Sequence, residues 1–285
     1  MTTSNDTVTV HAGQAGSPGI SVSDRGEGHP FLLLHGGAGP QSVTGFADLL
    51  AENRHARVLV PTHPGFSGTP RPDSLHTIRG LAAIYVALLD ELELRDVSVI
   101  GNSIGGWIAA EMALLGSQRV SSTIIVDAVG IEVPGHPVAD FFNLTFPQIA
   151  QLSYHDPERF RIDPQTLPPA AQAEMAGNRA ALAVYAGEPS MADPGLRGRL
   201  ADISLPTLVL WGDSDGIADP DYGRAYAAAI PTARFQLLPG TGHLPQIESP
   251  RPLIDAIWEF AEPLLTQRLY NMRAQQRPRA KRGRQ

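Results

Sequence analysis

The stretch Val97-Ser-Val-Ile-Gly-Asn-Ser-Ile-Gly-Gly-Trp107 limits what this chain can become more than any other part of it. An apolar run ends in a serine flanked by glycines and then turns helical, which reads as strand, sharp turn and helix with Ser103 at the apex. The spacing Gly101-x-Ser103-x-Gly105 suits such a turn, because strand and helix approach closely two residues to either side of the serine and leave no room for side chains. A serine held there lifts its hydroxyl clear of the sheet. The first amide of the following helix, at Ile104, points at the same space, and the helix N-terminus favours any negative charge that develops there. Ser103 is thus a candidate nucleophile and Ile104 a candidate backbone donor.

Around that unit, strand-like runs alternate with helical ones. Phe31–Leu34, Arg57–Val60, Val97–Ile100, Ser122–Val126, Pro206–Gly212 and Arg234–Leu238 read as strands, with weaker edge strands at Val8–Val10 and Ile20–Val22. Helices are expected from Val43 to Glu52, from His76 to Leu92, from Ile104 to Leu115, from Tyr222 to Ile230 and from Pro250 to Thr266. The alternation implies an α/β fold with a mostly parallel sheet, right-handed crossovers and helices on both faces. In such sheets functional residues gather at the carboxyl ends of strands, where His35, Ser103 and Asp127 stand. The rhythm breaks between residues 131 and 203, a proline-bearing segment without a β run that carries Phe141, Phe142, Phe146, Tyr154, Phe160 and Tyr185. The expected organisation is a core over 1–130 and 204–267, a helical cap inserted at 131–203, and a basic, disordered tail at 268–285.

Composition removes several classes of function. The chain has no cysteine, so disulfides, thiolate catalysis and cysteine-ligated metals are excluded. Residues 268–285 hold seven of the 22 basic residues and no acidic one, leaving 15 basic residues against 29 acidic ones in the body. An acidic body gives no footprint for nucleic acid, and the basic run reads as a short solvated end. No apolar run approaches the length of a membrane span, and the Met1–Thr7 start lacks the basic and apolar regions of a secretory leader. No membrane or nucleic-acid partner is therefore expected, and the cytoplasm is the expected location.

A serine hydroxyl is a weak nucleophile at neutral pH, so it needs a base, and the base needs an acceptor that holds its tautomer. His243 stands in the glycine-bounded loop Pro239-Gly-Thr-Gly-His243 after the last strand, and Asp215 follows the strand before it. His35-Gly36-Gly37 ends another strand in a loop whose amides can turn toward a ligand, with Gly37 the best placed donor. His35 reads as ordering that loop, and His63 as structural.

On His35-Gly36-Gly37, Gly101-Asn-Ser-Ile-Gly-Gly106, Trp211-Gly-Asp-Ser-Asp215 and Gly242-His243, the chain resembles the α/β-hydrolase fold family from about residue 20 to residue 265. The resemblance selects Asp215 over Asp213 as the acid, leaves Asp127 as the alternative because some members carry the acid after the earlier strand, and implies an oxyanion hole made by the amides of Gly37 and Ile104. It implies acyl transfer to water on a small-molecule substrate, with no metal or organic cofactor. The Gly-Asn-Ser-x-Gly-Gly run also resembles carbon-carbon bond hydrolases of ring-cleavage products. That branch carries tryptophan after the catalytic histidine, where Leu244 stands here, and a cap arginine, for which Arg179 is the candidate. The expected activity is hydrolysis of a carboxylic ester or lactone of a small, mainly apolar substrate. Carbon-carbon hydrolysis, cofactor-free perhydrolysis and weakly catalytic ligand reception on the same fold are the alternatives. Asn102, Phe142, Phe146, Tyr154, Arg179 and Leu244 are the expected substrate contacts.

Overall fold

The computed structural model describes residues 6–11, 19–187 and 191–276. Strands β1 (Asp6–His11), β2 (Gly19–Gly26), β3 (His29–Leu34), β4 (Ala56–Pro61), β5 (Val97–Asn102), β6 (Val120–Val126), β7 (Thr207–Gly212) and β8 (Ala233–Leu238) form one sheet. Its order is β1-β2-β4-β3-β5-β6-β7-β8. The β1–β2 and β2–β4 pairs are antiparallel and all the others parallel. Strands β5, β6 and β7 are buried at every position, so their sequences run continuously apolar or small instead of alternating. At the edge, β8 alternates between half-buried and exposed positions until Leu238.

Ten helices accompany the sheet in the described residues: α1 (Gln41–Asn53), α2 (Ile78–Glu91), α3 (Ile104–Leu114), α4 (Phe146–Ser153), α5 (Pro157–Phe160), α6 (Pro169–Ala186), α7 (Leu196–Arg199), α8 (Pro220–Ala228), α9 (Pro245–Glu248) and α10 (Pro250–Gln276). They cover both faces. Phe46 and Leu50 of α1 meet Leu253, Ile257 and Phe260 of α10 on one side. Leu81 and Tyr85 of α2, Ile108 of α3 and Tyr222 and Tyr226 of α8 share the core on the other. Every residue of α3 from Ile104 to Ala113 is buried, which its apolar and small composition permits on all sides but that of the ion-paired Glu111.

From β3 the chain passes outward through α1 to β4, then returns through α2 to β5 on the opposite side of β3. The strand order therefore reverses between β3 and β5, and a crevice opens at their carboxyl ends. The loop after β3 and the turn after β5 meet there, which puts His35 through Gly37 beside Ser103.

Helices α4, α5 and α6 lie in the segment between β6 and β7 that the sequence marks as inserted. Its base is closed by a bridge between Gly130 and Ala192 and by the Asp193 amide donating to Gly130 O at 2.9 Å. That neck comes before the expected boundary at 203, because Leu196 and Leu200 beyond it are fully buried in the core shared with α3. A second departure concerns the C-terminus. The sequence suggests a disordered tail from residue 268, yet α10 continues to Gln276. Residues 267–276 contain neither glycine nor proline and consist mostly of strong helix formers, and only Pro278 stops the pattern. Tail residues 277–285 and the first five residues of the chain, part of the leader reading, lie outside the described residues. No helix in the described residues is long and apolar enough to cross a membrane.

Glu111 of α3 is buried, and Arg199 at the end of α7 holds both its carboxylate oxygens, at 2.7 and 2.9 Å, while also reaching Asp193 at 2.7 Å. Arg199→Met would leave that carboxylate buried without a cation. Breaking a buried pair in this way costs about 3–5 kcal/mol, and the partial exposure of Arg199 reduces the expectation to about 2 kcal/mol. Calorimetry on the variant should show Tm lowered by roughly 4–8 °C, whereas an unchanged Tm would mean that this ion pair adds nothing to stability.

Candidate active site

Ser103 has φ 57° and ψ −120°, a conformation that side chains avoid. Its neighbours explain how the turn is held. A Cβ at Gly101 would collide with the Gly105 carbonyl, and one at Gly105 with the Leu34 carbonyl of β3, so the backbones of β5, β3 and α3 touch directly. The Ser103 amide donates to Val126 O of β6 at 3.0 Å, and its carbonyl accepts from Gly106 and Trp107 as α3 begins. The crossing tilts the serine out of the sheet at the start of a helix.

His243 Nδ1 donates to Asp215 Oδ2 at 2.8 Å. The other Asp215 oxygen accepts from the amides of Ile217 and Ala218, at 2.8 and 3.1 Å. Three donors thus fix the position of this buried carboxylate. The sequence alternative, Asp127, faces the Asp215 carboxyl and not His243: its Oδ1 accepts from the Gly212 amide at 2.7 Å, and its Oδ2 is buried with no donor from the rest of the protein. Burial, reinforced by the nearby charge of Asp215, pushes the Asp127 carboxyl well above the usual range. Two adjacent buried carboxyls do not both ionise readily, and the one with fewer donors keeps the proton. Asp213 hydrogen-bonds Ser214 instead.

The histidine loop is joined to the serine turn by Asn102, the residue before Ser103. Its Nδ2 donates to His243 O at 2.9 Å and Val126 O at 3.3 Å, and its Oδ1 accepts from Gln246 Nε2 at 3.1 Å. On the other flank, a Cβ at Gly36 would stand 3.1 Å from Ser103 Cβ, so the loop after β3 abuts the same serine. His35 Nδ1 donates to Gly36 O at 2.8 Å, and its Nε2 accepts from the His63 amide at 3.1 Å. His63 Nε2 in turn donates to His35 O, and Tyr85 donates to His63 Nδ1. Because a trans peptide points its C=O and N–H in opposite directions, tying down the Gly36 carbonyl fixes the direction of the Gly37 amide. His35 and His63 therefore order this loop, the role that their sequence context suggested.

A model of the Alpha/beta hydrolase family matches residues 31–256. The chain belongs to that family. Among relatives, 2-hydroxy-6-oxo-2,4-heptadienoate hydrolase of Pseudomonas putida is 27% identical over 270 residues, covering 86% of this chain and 94% of its own. A putative non-heme bromoperoxidase of Mycobacterium tuberculosis is 25% identical, covering 85% and 97%. Among solved structures, a thermophilic esterase from Thermogutta terrifontis is similar with TM-score 0.70 and 26% identity, covering 91% of this chain and 99% of that one.

Within this α/β hydrolase, the other expected site residues fall in different surroundings. Asn102 is the clear correction: it is buried, its Nδ2 engaged by the histidine loop and its Oδ1 by Gln246 of α9, so it joins the turn to the histidine loop instead of facing substrate. Arg179 is also occupied, its Nη2 donating to the carbonyls of Phe141, Phe142 and Leu144 while the guanidinium stacks on both phenylalanine rings. Phe142 packs edge-on against Phe141, and Phe146 is exposed at the start of α4. Tyr154 stacks on Phe160, and burial, with the charge of Glu248 adding to it, pushes its hydroxyl up to about 12. Leu244 is half-buried next to His243. An open apolar groove of about 390 Å³ runs along α4, lined by Leu144, Pro147, Gln148, Gln151 and Leu152, none of them an expected contact. Sequence reasoning passed over Gln246 and Glu248, although both follow His243 within one helical turn and a half.

Burial lowers the His35 ring from 6.5 to about 4, and its bond to Gly36 opposes that only in part. Unfolded, the ring takes a proton near 6.5, so between the two values the unfolded chain holds more protons and stability falls as the pH falls. The full difference is about 3 kcal/mol. His63, lowered by its burial, works in the same sense, and Asp127 in the opposite one. Urea midpoints measured from pH 7.5 down to pH 4.5 should therefore fall less steeply in His35→Gln than in the parent. Equal slopes would mean that the ring titrates normally in the folded chain.

Proposed function

We propose that the chain is a serine hydrolase that cleaves a carboxylic ester or lactone of a small, mainly apolar substrate through an acyl-enzyme. The observation that carries the reading is the left-handed Ser103 at the β5–α3 crossing, since a backbone strained by about 1–3 kcal/mol is retained where the surrounding structure holds it and function uses it. The hydrogen bond from His243 to Asp215 supports it from the other side of the site. Ser103 Oγ attacks the carbonyl carbon while His243 takes its proton, and the amides of Gly37 and Ile104 receive the oxyanion. His243 then protonates the leaving oxygen. Water attacks the acyl group with its proton passing to His243, and Ser103 is released with the acid product. Asp215 stays ionised throughout and steadies the imidazolium. Each amide donor is worth roughly 3 kcal/mol to the transition state.

Carbon-carbon bond hydrolysis is the second reading, favoured by the likeness to the Pseudomonas putida hydrolase. Against it stands Arg179, whose Nη2 is spent on three backbone carbonyls.

Intact-mass labelling with a fluorophosphonate should add one adduct to the parent and none to Ser103→Ala. Hydrolysis of short-chain p-nitrophenyl esters should accompany the labelling. A folded parent that takes no label sinks the nucleophile reading, and labelling without ester turnover moves carbon-carbon hydrolysis to the front. The two acids should separate in the same assay. Asp215→Asn is expected to lose about 10⁴-fold in kcat, while Asp127→Asn, which replaces a neutral acid by a neutral amide, should stay within a few-fold of the parent. The reverse order would make Asp127 the partner of His243.

A further inference from the structure

The inserted segment grips the site at both ends. On one flank, α6 lies over the oxyanion loop: Leu182 packs on Gly37, Asn178 donates to Ala38 O at 3.2 Å, and Tyr185 donates to Pro64 O at 2.9 Å. On the other, the turn from α4 into α5 rests on the two loops that carry Asp215 and His243. Leu152 O accepts from the Gly216 amide and Ser153 O from the His243 amide, both at 2.8 Å, and the His155 ring bonds Ser214 Oγ at 2.8 Å.

One carboxylate completes the second grip. Glu248, at the end of α9, accepts on Oε2 from the Gly242 amide at 2.7 Å and from the His155 amide at 3.1 Å, and on Oε1 from the Asp156 amide at 2.9 Å. The residue before His243 and the turn of the insert thus share a single acceptor. Charge-assisted bonds of this kind are short and directional, and three of them on one side chain leave it little freedom.

We propose that Glu248 is a positioning residue that couples the insert to His243, so that the ring is aligned for proton transfer only while the α4–α5 turn is seated. This rests on the serine-hydrolase reading above. His243 has Asp215 on its Nδ1 and Asn102 on its carbonyl, but its amide and that of Gly242 answer only to the insert and to Glu248. Losing the carboxylate frees the loop that carries the base without touching Ser103 or Asp215. The insert then acts on the chemistry through the backbone of the histidine loop as well as through whatever it contacts on the substrate. A displacement of about 1 Å at a reacting group is enough to cost about 10²-fold.

The test compares Glu248→Gln and Glu248→Ala with the parent, and with Glu158→Gln as a control carboxylate that is exposed on α5 and paired with Arg161. Fluorophosphonate labelling run to completion measures the fraction of folded, competent sites, and kcat and KM for a p-nitrophenyl ester are expressed per labelled site. If the parent itself takes no label, the hydrolase reading falls and this proposal falls with it for that separate reason. With a labelling parent, Glu248→Ala should label fully but slowly, with kcat per site lowered about 10²-fold and KM nearly unchanged. Glu248→Gln keeps one acceptor oxygen and should fall between the parent and Glu248→Ala, and Glu158→Gln should match the parent. If Glu248→Ala fails to fold, Glu248→Gln decides alone. Parent-like kcat per labelled site in a folded Glu248 variant, or a loss that follows only the labelled fraction, would overturn the coupling and leave Glu248 a structural bond.

Discussion

The contact between backbones at Gly101 and Gly105 is the constraint on which the rest of the molecule depends. Strand β5 and helix α3 can cross there only if neither position carries a side chain, and the crossing forces Ser103 into a left-handed conformation. The central strands are buried on both faces and α3 is buried on all sides, so neither element can relax away from the strain. The core energy of the sheet is thereby used to hold one residue in a conformation it would not choose alone. The reversal of strand order between β3 and β5 then opens the crevice above that residue, and each flanking loop has its polar backbone tied by buried side chains.

Those ties are made by groups kept neutral or charged according to their donors. His35 and His63 are buried neutral, each accepting one hydrogen bond and donating another, so either ring would lose an acceptor on taking a proton. Asp215 has three donors and Asp127 one, and burial beside Asp215 raises the Asp127 carboxyl. Polar groups removed from water must be satisfied inside the protein, and the way they are satisfied decides which of them remain free to act. The insert adds to this arrangement. It holds the loop after β3 through α6 and the loops of Asp215 and His243 through the α4–α5 turn, so it spans the site instead of covering one side of it.

Much of the architecture could be read along the chain because it is local. All eight strands were visible as apolar or alternating runs, and the serine turn was visible because its glycine spacing is a steric requirement written within five residues. The order of Ser103, Asp215 and His243 likewise pointed to the acid that the structure hydrogen-bonds to the histidine. Asn102 was misread, since an amide beside Ser103 looks free until partners distant in the chain are found on it, 24 and 144 residues away at Val126 of β6 and Gln246 of α9. Of the aromatic residues of the insert, Phe142, Phe146 and Tyr154 were read as substrate contacts; in the structure Phe142 packs on Phe141 and Tyr154 on Phe160. The C-terminal helix ran past its expected end, because charge suggested disorder where helix propensity was uninterrupted.

The sequence by itself determined the order and type of the elements, the crossing at Ser103 and the absence of any thiol chemistry. These follow from sterics, periodicity and residue type within short windows. Only the tertiary structure decided which carboxyl meets His243, which tautomers His35 and His63 adopt, and that Glu248 joins the insert to the histidine loop. Each of these is a choice among hydrogen-bond partners far apart in the chain, made by burial and by competition for donors that no local pattern encodes.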